Sequence, residues 1–347
     1  MMKILSGLAA SALVLAPISA TAAPAASASK LSVASSARVG TATGKSDLAI
    51  ALAQALDGEI INADAMQFYR GMDIGTAKLP PAERGDVPHH LIDVLDVDED
   101  ASVAAFQSAA RAHISDIRAR GRVPILVGGS GLYVRAATDA LSFPGTDPRV
   151  RARLEAESGE IGPAALHARL AELDPPAAAK ISPADPRRII RALEVIEITG
   201  EPFTAHLPRY ESVMPTVQIG LALDRGTLHD RIGRRVRAMW DAGWVDEVRA
   251  LLPRGLLTGT TARQAIGYAQ IIEVLSGRLE PAAAIESTIV RTRQFAKRQE
   301  TWFRRDTRIR WIPAGERSVD DALAVLRGAR RTGSDPASGP QASAPGQ

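Results

Sequence analysis

Gly40, Thr41, Ala42, Thr43, Gly44, Lys45 and Ser46 form a run able to grip an anion. A glycine-rich turn lets successive backbone N–H groups point at phosphate oxygens. A helix that follows adds its unpaired N–H groups and the positive end of its dipole. In that chemistry Lys45 brings a mobile charge to a terminal phosphate, and the Ser46 hydroxyl is a candidate Mg2+ ligand. The full pattern separates its first glycine from Gly-Lys-Ser by four residues, which puts it at position 39. This chain has Val39 there, and Gly40 sits one place late. The plainer reading is a chance Gly-Lys-Ser ahead of an ordinary helix.

Other residues with chemical capacity recur along the chain. Asp64 ends an apolar stretch near the expected anion; its carboxylate suits a general base or a metal ligand, and equally a helix N-cap. Asp93, in His89-His90-Leu91-Ile92-Asp93, reads better as a turn or cap than as a second metal carboxylate, and His89 and His90 read as structural. Gly128, Gly129, Ser130 and Gly131 imply a backbone that closely approaches something, with Ser130 able to bond a substrate or cap the next helix. Arg231 and Arg235 stand four apart, so they share one helix face and can clamp a diphosphate. Arg187, Arg188 and Arg191 suit nucleic-acid phosphates. Between positions 291 and 305, Phe295, Trp302 and Phe303 interleave with Arg, Lys and Gln, a mixture that suits RNA. For Phe295 an inward-packed core position is the expected reading.

Composition narrows the classes. The 347 residues are 46% hydrophobic, enough for a sizeable core and about two domains. There are no cysteines, which excludes disulfides and thiolate metal sites, and the six histidines lack metal-ligand spacing. Net charge is only +3, yet acids crowd positions 86–100 and bases crowd 225–310, as a polyanionic partner requires.

These residues need a frame to hold them. Positions 59–64, 122–127 and 217–223 read as short buried strands with helical patterns between them. That alternation implies a parallel sheet, with ligands at the carboxyl ends of its strands. Residues 141–208 form a charged, alanine-rich stretch punctuated by Pro183, Pro186 and Pro202, expected to be an inserted helical subdomain. The expected catalytic core is 39–140 with 209–315. Residues 1–38 are signal-like and then rich in Ala and Ser, too interrupted for a membrane span, and 330–347 read as a disordered tail.

Taken in order, several strings resemble the bacterial tRNA dimethylallyltransferases. They are Ile61 to Lys78, Val87 to Asp93, Gly128 to Tyr133, Arg187 to Glu194, Ala265 to Tyr268 and Thr301 to Arg305. The resemblance runs from about Gly40 to Trp311. It implies a P-loop NTPase-like α/β core with a helical C-terminal part. It also implies transfer of a dimethylallyl group from its diphosphate to N6 of the adenosine 3′ of the tRNA anticodon, assisted by Mg2+. On that resemblance Asp64, Ser130 and Arg235 are the catalytic residues, and Gly40 to Ser46 bind the diphosphate. Asp64, Ala65, Met66, Gln67, Ser130, Arg151, Arg187, Arg188, Arg191, Gly267 and Tyr268 contact the anticodon stem-loop. The target adenosine must leave its stack to reach such a site. A cytoplasmic monomer without a membrane is implied as well. Two departures stand out: Val39-Gly40 where the family has Gly-Pro, and a secretory-looking leader where it has a strand. Both follow if residues up to about 38 lie outside the native reading frame, which sequencing the locus and the protein's true N-terminus tests. The competing classes are a small-molecule kinase, which predicts ATP turnover and a second metal carboxylate, and a non-catalytic RNA-binding relative.

Overall fold

A computed structural model describes residues 8–15, 43–206 and 210–332. Gly40, Thr41 and Ala42 lie outside the described residues, as do most of positions 1–38 and 333–347. The chain divides into two compact units, one of residues 1–138 with 214–347 and one of residues 139–213.

The larger unit is built on a six-stranded sheet in the order β3-β2-β4-β1-β5-β6. Its strands are β1 (Leu8–Leu15), β2 (Gly58–Asn62), β3 (His89–His90), β4 (Val123–Gly128), β5 (Val217–Asp224) and β6 (Ile309–Pro313). The pairs β2–β3, β2–β4 and β5–β6 are parallel, as the alternation of strand and helix patterns requires. β1 departs from that pattern. It fills the slot between β4 and β5 and runs antiparallel to both, with Ala12 opposite Gly128 and Gly220. Two central strands left apart would expose rows of unpaired N–H and C=O groups, and an apolar eight-residue segment closes both rows at once.

Helix α1 (Lys45–Leu56) follows the phosphate-loop residues, as its alanines and leucines predict. It buries Leu48, Ala49, Leu52 and Ala53 in a core shared with Ile125, Ile219, Leu221 and Leu326. Its end differs in detail from a glycine C-cap: Asp57 takes the left-handed conformation at φ 50°, and Gly58 already opens β2. Asp is among the few residues that tolerate that region. Helices α2 (Val103–Ala119) and α3 (Gly131–Thr138) pack on each other. α8 (Arg225–Asp241), α9 (Trp244–Leu251), α10 (Tyr268–Leu275) and α11 (Pro281–Phe303) follow after β5. A second core gathers Tyr69, Met72, Trp244, Val248, Leu251, Tyr268 and Ile271. The last helix, α12 (Ser318–Thr332), reaches two residues past the expected start of the tail.

The smaller unit is helical: α4 (Pro148–Ile161), α5 (Pro163–Leu173), α6 (Pro175–Ala178) and α7 (Pro186–Thr199). Proline stands in the first turn of each, where its missing N–H costs nothing. Leu154, Leu166, Leu170, Ile189 and Leu193 form its own core. Among the described residues no helix is long and apolar enough to cross a membrane.

One buried charge cluster holds the sheet edge. Glu59 on β2 has a side chain 1% exposed and accepts hydrogen bonds from Arg120, Arg122 and His90. Arg120 above all, with His90 and Arg122 and against the opposing effect of burial, holds the Glu59 carboxyl down at about 2. A depressed carboxylate stabilises the fold above its unfolded value of 4.5, and that stability is lost as pH falls toward 2. Glu59→Gln is expected to cost about 1–3 kcal/mol at neutral pH, because the buried position loses its charged hydrogen bonds to Arg120, Arg122 and His90. In urea melts its deficit against the parent should shrink as pH drops from 4.5 toward 2.

Candidate functional site

The carboxyl ends of β2 and β4 and the start of α1 open onto one cavity of about 530 Å³. The chain after β2 turns sharply at Asn62. Its side-chain oxygen accepts the Asp64 N–H at 2.9 Å, and its amide donates to the Leu91 carbonyl at 2.9 Å. That side chain fixes Asp64 at the cavity wall. Asp64 caps the 3-10 turn Ala65–Phe68, accepting from the Met66 N–H at 3.1 Å, and it also lines the cavity. A carboxylate keeps lone pairs after one such bond, so capping does not exclude proton transfer.

β4 ends at Gly128, whose backbone passes so close to Ala63 that a Cβ would lie 2.5 Å from the Ala63 carbonyl oxygen. Only glycine fits there. Gly129 and Ser130 follow on the wall, with Ser130 at the entrance to α3. The Gln299 amide on α11 donates to the Gly129 carbonyl at 2.7 Å and holds this turn from the far side.

Gly44 caps α1 in the left-handed region at φ 84°, as a phosphate-type turn demands. Thr43, Lys45 and Ser46 line the cavity. Desolvation pulls the Lys45 ammonium below the ordinary lysine value of 10.5; Asp64 opposes that fall and Arg235 adds to it. Desolvation likewise lowers Arg235, and Asp64 opposes it. Lys45 and Arg235 thus face one carboxylate among the lining residues. Two desolvated cations against one acid leave an excess of positive charge that a polyanionic ligand offsets. Around them Ile60, Val127, Leu228, Ile232, Val236 and Met239 supply an apolar wall.

The structure separates residues that the sequence grouped. Arg235 lines the cavity, and Arg231, on the same helix, does not. Residues four apart share a helix face but sit a turn apart along its axis, so the cavity can reach one and not the other. Asp93 is absent from the lining and pairs with Lys78 at 2.5 Å, in a turn at φ 57°. His90 serves Glu59, as a structural histidine should, but His89 lines the cavity. The aromatic run on α11 reverses its expected roles. Phe295, expected inside, is 41% exposed at the cavity, with Arg298 stacked over its ring. Phe303 is core, and Trp302 packs on Gly131 and under Arg135. Which face of a helix turns inward depends on what packs against it, and no local signal encodes that.

Ala65, Met66, Gln67 and Tyr268 line the same cavity, and Gly267 opens α10 beside them. In the smaller unit Arg151 and Arg191 bind the fully buried Glu194, at 2.5 and 2.8 Å. Arg187 and Arg188 are exposed, and Arg188 lies 3.4 Å from Asp185. Asn62, Trp244, Arg298 and Gln299 line the cavity too, and no motif of the sequence marks them as site residues. Asn62 lies within the Ile61–Lys78 string, and its signal is a polar residue ending an apolar strand.

Among the described residues no group of three or more acids or histidines is placed to hold a metal. The oxygen donors Ser46 and Asp64 fit a hard cation only when the ligand itself supplies most of the coordination, as Mg2+ bound with a diphosphate allows.

Known proteins resemble this chain closely. The sequence model of the family described as IPP transferase matches residues 67–306. A tRNA dimethylallyltransferase of Thermobifida fusca is 62% identical over 292 residues, covering 82% of this chain and 92% of that one. One from Kineococcus radiotolerans is 60% identical over 294 residues, 82% of this chain and 93% of its own. The crystal structure of a tRNA isopentenylpyrophosphate transferase of Bacillus halodurans is 41% identical with a TM-score of 0.60, covering 85% of this chain and 96% of that one. A eukaryotic dimethylallyltransferase acting on tRNA superposes with a TM-score of 0.69 at 26% identity, covering 85% and 78%.

Proposed function

The chain belongs to the IPP transferase family and modifies tRNA by prenyl transfer, and we propose how its residues divide that work. The supporting observation is the meeting of Lys45, Arg235 and Asp64 in one cavity with an apolar wall. The cations suit the diphosphate of dimethylallyl diphosphate, and the wall suits its five-carbon chain.

Thr43, Gly44, Lys45 and Ser46 grip the diphosphate, with Arg235 on its other side. The N6 amine of a flipped adenosine, the one 3′ of the tRNA anticodon, attacks C1 of the allyl group. The N–C bond forms as the C1–O bond breaks, and the bonding electrons leave with diphosphate. Asp64 accepts the N6 proton, and Lys45 and Arg235 neutralise the charge that develops on the leaving oxygen. Ser130 bonds the acceptor nucleoside from the Gly128 turn. Ser46 would be the protein's ligand for Mg2+, which would supply further charge neutralisation when bound with the diphosphate. Ala65, Met66, Gln67, Gly267 and Tyr268 receive the anticodon loop, and Arg187 and Arg188 meet tRNA phosphates. Arg151 and Arg191 join them through a surface that Glu194 holds in shape. A tRNA substrate favours the cytoplasm as the site of the activity.

The kinase alternative needs a second metal carboxylate, and Asp93 is tied to Lys78 instead. Incubation with unmodified tRNA, Mg2+ and dimethylallyl diphosphate tests the reading. Nucleoside mass spectrometry should show N6-dimethylallyladenosine; tight tRNA binding without product would refute it. Phe295, exposed at the cavity, is placed to stack on a base. Phe295→Ala should raise KM for tRNA by about tenfold, since one base stack contributes about 1–3 kcal/mol.

A further inference from the structure

We propose that Glu247, which does not line the cavity, is a positioning residue that shapes its wall by holding the backbone of residues 73–77. The inference rests on the reading of the cavity as the tRNA prenyl-transfer site.

Residues 73–78 form a tight turn in which the Lys78 N–H bonds the Asp73 carbonyl and the Ala77 N–H bonds the Ile74 carbonyl, both at 3.0 Å. Like the first turn of a helix, such a turn leaves its leading N–H groups without a partner inside it. Glu247, on α9, takes three of them. Its carboxylate accepts from the N–H groups of Asp73 at 2.9 Å, Ile74 at 2.7 Å and Gly75 at 3.3 Å. The Tyr268 hydroxyl donates a fourth bond at 2.5 Å.

The rest of the turn is tied from other sides. The Lys78 ammonium binds Asp73 at 2.7 Å, Asp93 at 2.5 Å and the Tyr69 carbonyl at 2.8 Å. The Gln67 amide donates to the Thr76 carbonyl at 3.1 Å. Gly75 presses on the Trp244 indole so closely that no side chain fits between them. Gly75, Thr76 and Ala77 then line the cavity beside Gln67. The position of this wall, next to the segment that begins at Asp64, depends on one carboxylate more than 170 residues away in sequence.

A carboxamide cannot replace that carboxylate. Glutamine offers one acceptor oxygen and turns an NH2 group toward backbone N–H donors. Burial, then the Glu247 charge, pushes the Tyr268 hydroxyl well above its ordinary value, so the phenol stays a donor throughout the working range.

The test compares full-length wild type with Glu247→Gln and Glu247→Asp by hydrogen exchange and steady-state kinetics. In E247Q, amide exchange over residues 73–75 should quicken about tenfold or more, with β4 amides unchanged. Its kcat/KM for tRNA should fall about tenfold to a hundredfold, the expected cost of a misplaced wall. Its KM for dimethylallyl diphosphate should stay within about twofold, because the turn is bonded to Gln67, which is read as a tRNA contact. E247D, which keeps the charge, should lie closer to wild type in both measurements. Unchanged exchange at 73–75 would overturn the proposal, as would faster exchange there with unchanged kinetics for tRNA. Equal loss with both substrates alongside faster exchange everywhere would also overturn it, by showing a merely structural role. If wild type transfers no prenyl group, the tRNA reading fails by itself, and the exchange data still decide whether Glu247 holds the turn.

Discussion

Asp64→Asn is expected to abolish most prenyl transfer while leaving the protein folded and able to bind tRNA. Asparagine keeps the shape and the oxygen that caps the Met66 N–H at 3.1 Å, so the turn survives. What it loses is the capacity to accept a proton from the attacking amine. Removal of a general base lowers kcat by about 10²- to 10⁴-fold. Single-turnover transfer to tRNA under saturating dimethylallyl diphosphate measures that loss directly. Loss of tRNA affinity with little change in the single-turnover rate would instead make Asp64 a docking residue. Asp64→Ala removes the cap as well, and a further decline of about 1 kcal/mol in stability should separate the two changes.

Lys45→Ala and Arg235→Ala carry the second large effect. Each leaves one cation where Asp64 now faces two. Loss of a group that stabilises developing charge in a site like this lowers kcat by about 10²- to 10³-fold. Their double variant should lose less than the product of the single losses, since both act on one diphosphate. The pH profile offers an independent check. Burial lowers the Lys45 ammonium below 10.5, so its proton leaves earlier as pH rises. The alkaline limb of kcat/KM for dimethylallyl diphosphate, which reports the free protein, should therefore fall below the ordinary lysine value. Lys45→Arg should move that limb upward, because guanidinium stays charged. A limb that ignores the arginine variant would show that another group titrates.

Much of this site was legible as local chemistry. The turn into α1, the left-handed Gly44, the cap at Asp64 and the crowded glycine at Gly128 each depend on a few neighbouring residues, and their types announce them. β2, β4, β5 and β6 were legible for the same reason, as short apolar runs, whereas β1 lies in the leader that read as signal-like and β3 is only a two-residue pairing. The smaller helical unit showed itself in its prolines and its alanine-rich charged helices.

The misreadings share a different cause. Arg231 and Arg235 are chemically alike and stand one turn apart, and only the packing of α8 sends one to the cavity and not the other. Phe295 and Phe303 lie on one helix, and their exchange of roles follows from which neighbours α11 meets. The direction of β1 could not be read from its composition, since an apolar strand satisfies a sheet equally in either sense.

By itself the sequence determined the reaction class, through its resemblance to a known family, and marked candidate groups for holding an anion and accepting a proton, because residue type and short spacing encode that chemistry. The tertiary structure alone decided which of several equivalent arginines, aromatics and histidines reach the cavity. It also brought Gln299 to the Gly129 carbonyl and Glu247 to the backbone of residues 73–75. Those partners are far apart along the chain, and the bonds between them exist only once the helices have packed.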